Sequence, residues 1–323
     1  MPSALLTSDL LRRLEQFQLL AQRRAKSSAK GERRSKARGQ SVEFADHRNY
    51  TPGDDFRYLD WNLFARLDRL FLKLYEEERE LPVRIFLDAS ESMTFGEPAK
   101  FLFARQVAAA VGYVALCGFD RVSVHVFPGA ERGARTADSS PAFLNGAAPA
   151  SPGDWQAELA ARSALRSVRG KKSSFEFFRN LAALTAAGSA NFNDTLRRGA
   201  LEARQSGVAV VLSDLLDPVG YEVGLNALIG RGFHVDLVQV LAPEELTPTT
   251  FGDLKLVDSE SGTLQEVTFG KYRLAAYQKT VQAFVQRLRE FCRTRGINYF
   301  LARSDMDLGE LLLKQLRRAE VLG

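Results

Sequence analysis

The chain has 323 residues, 45% of them hydrophobic, enough for one large domain or two modest ones with a sizeable core. Its formal charge of +5 conceals a basic arm: ten basic and two acidic residues between Arg12 and Arg38 carry +8, which leaves a mildly acidic body. No basic region precedes an apolar stretch at the N-terminus, and the long apolar uncharged run, Gln106 to Phe119, is shorter than the ~18–20 residues of a spanning helix, so secretion and membrane insertion are not expected.

In chain order, Leu10, Leu11, Leu14, Phe17 and Leu20 recur at helical spacing and predict an amphipathic helix over Ser8 to Ala25. Ser27 to Gly39 is rich in Lys, Arg and Ser and reads as an exposed connector. Ser41 to Leu81 reads as a compact irregular segment with turns and short strands, Leu70 to Tyr75 among them. Within it, Pro52-Gly53 suits the centre of a type II turn, Asp54 and Asp55 suit backbone capping, and Asp60 suits an arginine partner, with Trp61 anchoring the segment on the core.

From Val83 the pattern becomes strand–helix–strand. Strands are expected at Val83 to Leu87, Arg121 to Phe127, Val208 to Leu212, Phe233 to Leu241 and Ile297 to Leu301. Helices are expected at Ala99 to Cys117, Trp155 to Val168, Ser174 to Ala187, Asn193 to Gln205, Val219 to Gly230, Lys271 to Arg295 and Asp307 to Ala319. Pro128 to Gly153, rich in Gly, Ala, Ser and Pro, reads as a surface insertion. Leu254 to Val257 and Leu264 to Phe269 flank Ser259-Glu260-Ser261-Gly262 as a hairpin. The alternation predicts a three-layer α/β fold: a mostly parallel sheet with helices on both faces. The domain reading is a basic helix and linker over residues 1–40, a second segment over 41–81 and the α/β domain over 82–323.

Two positions carry the chemistry. Asp88-Ala89-Ser90-Glu91-Ser92 leaves a buried strand with one carboxylate and two hydroxyls on the turn, and Leu212-Ser213-Asp214 ends a second strand. In open parallel sheets ligands bind at the carboxyl edge. If the two strands are neighbours, the four oxygen-bearing groups converge, and short oxygen side chains suit a small hard cation such as Mg²⁺. The alternative is that both aspartates cap turns. Cys117 and Cys292 lie in apolar, helix-like contexts without metal or redox spacing, which fits free thiols in the cytoplasm.

The run Tyr50-Thr51-Pro52-Gly53-Asp54-Asp55-Phe56-Arg57-Tyr58-Leu59-Asp60-Trp61, then Ala65-Arg66, the acidic stretch Glu76 to Glu80 and Asp88 to Met93, in that order, resembles the bacterial "domain of unknown function 58" family, a group with a von Willebrand factor A-like domain. The resemblance implies a metal-ion-dependent adhesion site with Asp88, Ser90 and Ser92 in its first loop, Asp214 in its last, and Mg²⁺, or alternatively Mn²⁺, bound there. It also implies a threonine in a middle loop. Here Ala190 stands in that place, with Ser189 and Thr195 out of register. As partners it implies a MoxR-type AAA+ ATPase and a client protein donating a carboxylate.

Two rival functions follow from other residues. Nucleic-acid or anionic-surface binding rests on the basic arm, but the arm has almost no aromatics for stacking. A phosphohydrolase would use Asp88 as nucleophile, yet Ser90 stands where haloacid-dehalogenase-like enzymes place a second aspartate, so the general acid is missing. A non-enzymatic interaction module is the expectation.

Overall fold

The computed structural model describes residues 5–15, 42–77, 81–127, 167–189, 191–248, 252–257, 264–269 and 271–311. The expected insertion at Pro128 to Gly153, the helix from Trp155, the turn at Ser259 to Gly262, Ala190 and the end of the last helix lie outside the described residues. The chain forms two compact units, Ser28–Glu80 and Met1–Ser27 together with Leu81–Gly323.

In the smaller unit, β1 (Val42–Asn49) pairs antiparallel with β2 (Phe71–Glu77), with an irregularity between Phe44 and Asp46. Between them lies α1 (Trp61–Leu67). Gly53 takes φ +104°, and the Asp54 N–H donates to the Thr51 carbonyl at 3.1 Å, as a turn centred on Pro52-Gly53 requires. Asp55 accepts from the Arg57 N–H, and Asp60 caps α1 by accepting from the N–H groups of Asn62 and Leu63. Two expectations fail here. Asp60 pairs with His47 at 2.9 Å and Lys73 at 3.5 Å, while it is Asp54 that binds an arginine, Arg48, at 2.7 Å. Trp61 is 62% exposed, because as the first residue of a capped helix it points off the segment.

The larger unit is built on a six-stranded sheet. Its strands are β3 (Pro82–Asp88), β4 (Arg121–Phe127), β5 (Val168–Arg169), β6 (Val208–Ser213), β7 (His234–Leu241) and, late in the chain, β10 (Asn298–Arg303). The spatial order is β10-β7-β6-β3-β4-β5, all parallel except the short edge strand β5. Counted along this sheet alone the order is 3-2-1-4-5-6, the doubly wound arrangement, whose direction of winding reverses between β3 and β6. β8 (Gly252–Val257) and β9 (Leu264–Phe269) form a separate antiparallel pair.

Helices cover both faces. An N-terminal helix, Ser8–Leu14, packs on one face with α2 (Lys100–Cys117) and α3 (Ser174–Ala182), around Val83, Ile85, Leu87, Val122, Val210 and Val240. The other face carries α4 (Phe192–Glu202), α5 (Glu222–Gly230) and α7 (Lys271–Arg295), around Phe86, Phe127, Val211 and Leu237. A short α6 (Pro243–Leu246) follows β7. Alternate residues of β3 and β6 feed opposite cores, so these strands are near-continuous apolar runs rather than alternating, Arg84 of β3 being the interruption.

By length and composition α2 could cross a membrane, and it is the one such helix among the described residues, yet 78% of it is buried inside the fold. It is a core helix, buried on more sides than an amphipathic pattern implies. The N-terminal helix also belongs to this body: Leu14 is fully buried, and Glu15 accepts from Tyr113 at 2.7 Å and pairs with Lys171 at 2.9 Å. Helix α3 ends at Ala182, short of Ala187, where Arg105 donates to the carbonyls of Ala182 and Leu184. Phe101, Phe103 and Phe177 are buried in this core, whereas Phe95 and Phe175 are exposed.

A candidate metal centre at the carboxyl edge of the sheet

β3 and β6 are direct neighbours, with Leu87 in register with Leu212, so Asp88 and Asp214 emerge side by side where the sheet winding reverses. All four sequence-predicted residues meet there. Asp88 Oδ1 accepts from the Ser90 N–H at 3.0 Å and the Ser90 hydroxyl at 2.7 Å, and Oδ2 accepts from the Ser213 hydroxyl at 2.5 Å. Ser92 donates to Asp214 Oδ2 at 3.0 Å, and the Leu216 N–H donates to Oδ1 at 3.1 Å. Ser90 and Ser92 Oγ are 3.0 Å apart.

Each hydroxyl has one proton. Ser90 lies against Asp88 and Ser92 against Asp214, and the 3.0 Å between the two serine oxygens is itself hydrogen-bond distance, with either hydroxyl able to donate. An octahedral Mg²⁺ with ligands at ~2.0–2.1 Å has adjacent oxygens ~2.8–3.0 Å apart, whereas Ca²⁺ at ~2.4 Å would spread them to ~3.4 Å. The pair therefore fits the edge of a magnesium-sized octahedron. Among the described residues no group of three or more His, Cys, Asp and Glu side chains is placed to hold a metal, so a cation here would depend on the two serines.

The middle loop lies against the first. The Glu91 N–H donates to the Gly188 carbonyl and the Ala187 N–H to the Ala89 carbonyl, both at 2.8 Å. Ser189 is exposed, and among the described residues neither its hydroxyl nor that of Thr195 bonds to the four site residues. Ala190, which stands where the family resemblance places a threonine, lies outside the described residues.

The site holds charged partners that sequence reasoning missed. Lys100, the first residue of α2, is fully buried and donates to Asp214 Oδ2 at 2.8 Å and to Glu245 Oε1 at 2.6 Å. Glu245 Oε2 in turn accepts from the Ala242 N–H at 2.7 Å, which fixes α6 on the end of β7. Gln239 donates to the Asp214 carbonyl and accepts from Tyr299, bracing the loop from below. A lysine opening a helix is unfavourable to the helix dipole, and that misplaced charge was the available signal.

The electrostatics follow from burial. Asp88 is pushed up to about 7, first by burial and then by the Asp214 carboxylate, against hydrogen bonds from Ser213 and Ser90. Burial works against the Lys100 ammonium, but Asp214 and Glu245 outweigh it and raise its pKa. Glu245 is raised by burial, which the nearby Lys100 only partly offsets. Fully ionised, Asp88, Asp214, Glu245 and Lys100 sum to −2, the charge one divalent cation neutralises.

A parallel α/β sheet with a hydroxyl-and-carboxylate cluster at its reversal point defines the class of fold and site. The chain belongs to the family described as "Protein of unknown function DUF58", whose model matches residues 46–286. An uncharacterized protein of Mycobacterium tuberculosis, Rv1480, is 26% identical over 277 residues, covering 83% of this chain and 77% of that protein; an uncharacterized Mycobacterium avium protein, MAV169, is 29% identical over 133 residues, 40% of this chain and 76% of its own. Among solved structures, the conserved hypothetical protein BatB from Bacteroides thetaiotaomicron aligns with a TM-score of 0.41 and 11% identity, over 74% of this chain and 98% of that one. An aerotolerance-related membrane protein from Bacteroides fragilis aligns with a TM-score of 0.38 and 13% identity, over the same shares.

Proposed function

We propose that this chain is a non-enzymatic protein-interaction module whose carboxyl-edge cluster is a metal-ion-dependent adhesion-type site on a von Willebrand factor A-like sheet. The observation that carries the reading is the convergence of Asp88, Ser90, Ser92 and Asp214 at one point, with the two serine oxygens 3.0 Å apart. When bound, Mg²⁺, or alternatively Mn²⁺, supplies an electrophilic point that accepts a carboxylate from another protein. Ser90 and Ser92 present neutral oxygens and so leave that point underneutralised. Asp88 and Asp214 supply the balancing charge.

The surroundings suit docking rather than turnover. Phe95, three residues beyond Ser92, is 51% exposed; Leu216, two beyond Asp214, is 49% exposed; and Val219 is exposed further along the same loop. Apolar side chains around a polar centre are what a protein partner covers. Among the described residues of the larger unit neither imidazole stands at the cluster: His234 opens β7 at the opposite edge, and His125, stacked on Phe86, is held down to about 4 by burial and by Arg84. Position 90, where a phosphohydrolase would need its general acid, holds a serine whose hydroxyl donates to Asp88.

The partner is a MoxR-type AAA+ ATPase together with a client that donates the carboxylate, as the family resemblance implies. The setting is cytoplasmic, which the free thiols Cys117 and Cys292 favour. Binding of a MoxR-type ATPase from the same organism, measured by biolayer interferometry in Mg²⁺ and in EDTA for wild type and Ser92→Ala, tests the reading. Mg²⁺-dependent binding lost in the variant is expected. Equal binding in EDTA would remove the metal bridge, and no binding under any condition would remove the partner.

A further inference from the structure

Lys100 is the least expected group in the molecule. A lysine is almost never fully buried unless paired, and a cation in the first turn of a helix opposes the helix dipole. Lys100 accepts both penalties: it opens α2, has no exposed surface, and is bound by two carboxylates at 2.8 and 2.6 Å. Neither partner is on its own element. Asp214 follows β6 and Glu245 lies in α6, so the ammonium ties three separate segments to one point. The loop that delivers it is tightly held: Gly96 has φ +93°, and a Cβ there would lie 2.6 Å from the Ala242 Cβ.

Asp214 Oδ2 is shared between the Ser92 hydroxyl and the Lys100 ammonium. The lysine therefore contacts the same oxygen that belongs to the candidate centre. A permanent positive charge at this position changes which cations the centre accepts. Counting Asp88, Asp214 and Glu245 as ionised, removing the lysine would take the formal charge of the cluster from −2 to −3. Coulomb energies scale with the product of charges, so a fixed neighbouring cation penalises a trivalent ion more than a divalent one.

We infer that Lys100 is a specificity-determining residue of the site, a built-in counter-cation that matches the cluster to one divalent ion and disfavours trivalent ions. This rests on the adhesion-type reading above and adds a selectivity that the four oxygen ligands alone do not set. Lys100 acts through Asp214 and Glu245 and is not itself a ligand.

The test is calorimetric titration of Mg²⁺ and, separately, Tb³⁺ into the full chain, for wild type, Lys100→Met, Glu245→Gln and the double variant. The ratio of Tb³⁺ to Mg²⁺ affinity is expected to rise at least about tenfold in Lys100→Met and to fall by a similar factor in Glu245→Gln. It should return near the wild-type value in the double variant, where the balance is again −2. A purely structural role would weaken both ions together and leave the ratio unchanged, which overturns the inference. If Lys100→Met does not fold, Glu245→Gln and the double variant decide it by the same ratio. Wild-type protein that binds neither ion overturns the adhesion-type reading itself, whereas wild-type binding with an unchanged ratio overturns only the role of Lys100.

Discussion

Asp88→Asn removes a buried charge while nearly preserving shape. In the metal-free protein Asp88 titrates at about 7, well above the ordinary 3.8, because it is buried beside Asp214. A carboxyl whose folded pKa is raised holds its proton in the native state while the unfolded chain has lost it. Between pH about 4 and 7 the native state therefore binds more protons, and stability falls as pH rises through that window. At about 1.4 kcal/mol per pH unit, and discounting for the coupling to Asp214, the loss is on the order of 2–4 kcal/mol. Asparagine carries no such charge. Its Oδ1 can accept from Ser90 as Asp88 Oδ1 does, and its amide can donate to Ser213 Oγ in place of the present bond. In EDTA the variant should come close to wild type near pH 4, where Asp88 is protonated in the native state and largely so in the unfolded chain, and exceed it by that amount at pH 8, measured by urea denaturation. Mg²⁺ should stabilise wild type at pH 8, far less at pH 5 where the proton competes, and not stabilise Asp88→Asn at all. A variant less stable than wild type at pH 8 in EDTA, or a pH dependence the substitution leaves unchanged, would refute the reasoning.

Three further outcomes are expected. Gly207→Ala places a Cβ 2.0 Å from the Pro82 carbonyl oxygen, backbone that cannot swing aside, so urea denaturation should show a loss of about 1–3 kcal/mol or no soluble protein. Asp60→Ala removes the acceptor for two N–H groups at the start of α1, so hydrogen exchange should lose protection at Asn62 and Leu63 while the six-stranded sheet is unaffected. Deleting residues 23–38 removes most of the basic arm but spares Leu14 and Glu15, which are built into the fold; Mg²⁺ binding should persist, and any nucleic-acid binding, read by fluorescence anisotropy, should disappear.

The parts legible in the sequence were those set by periodicity and by strand-end chemistry. β3, β6 and β7 are largely apolar runs of strand length, β4 alternates apolar and polar residues, and α7 follows its pattern from Lys271 to Arg295, with Lys279, Arg287, Arg289, Arg293 and Arg295 all exposed. That Asp88 and Asp214 meet follows from the parallel neighbours β3 and β6, which strand–helix alternation predicts only in outline. What sequence did not reveal depends on long-range pairing. The two-residue strand β5 exists only because β4 offers it an edge. Lys100 looks like a solvated helix charge until Asp214, 114 residues away, and Glu245, 145 residues away, are brought to it. Trp61 reads as a core anchor in the sequence, but it stands at the start of a short capped helix and faces outward.

The central claim is that the two serines and two aspartates hold a hard divalent cation open to a partner carboxylate. Calorimetric titration of Mg²⁺ at pH 8 into wild type and Ser90→Ala, with and without acetate as the carboxylate, tests it most directly. Saturable binding in wild type, strengthened by acetate and abolished by the substitution, is the predicted result. Wild-type protein that takes up no Mg²⁺ with or without acetate, or a Ser90→Ala variant that binds as tightly, would contradict it.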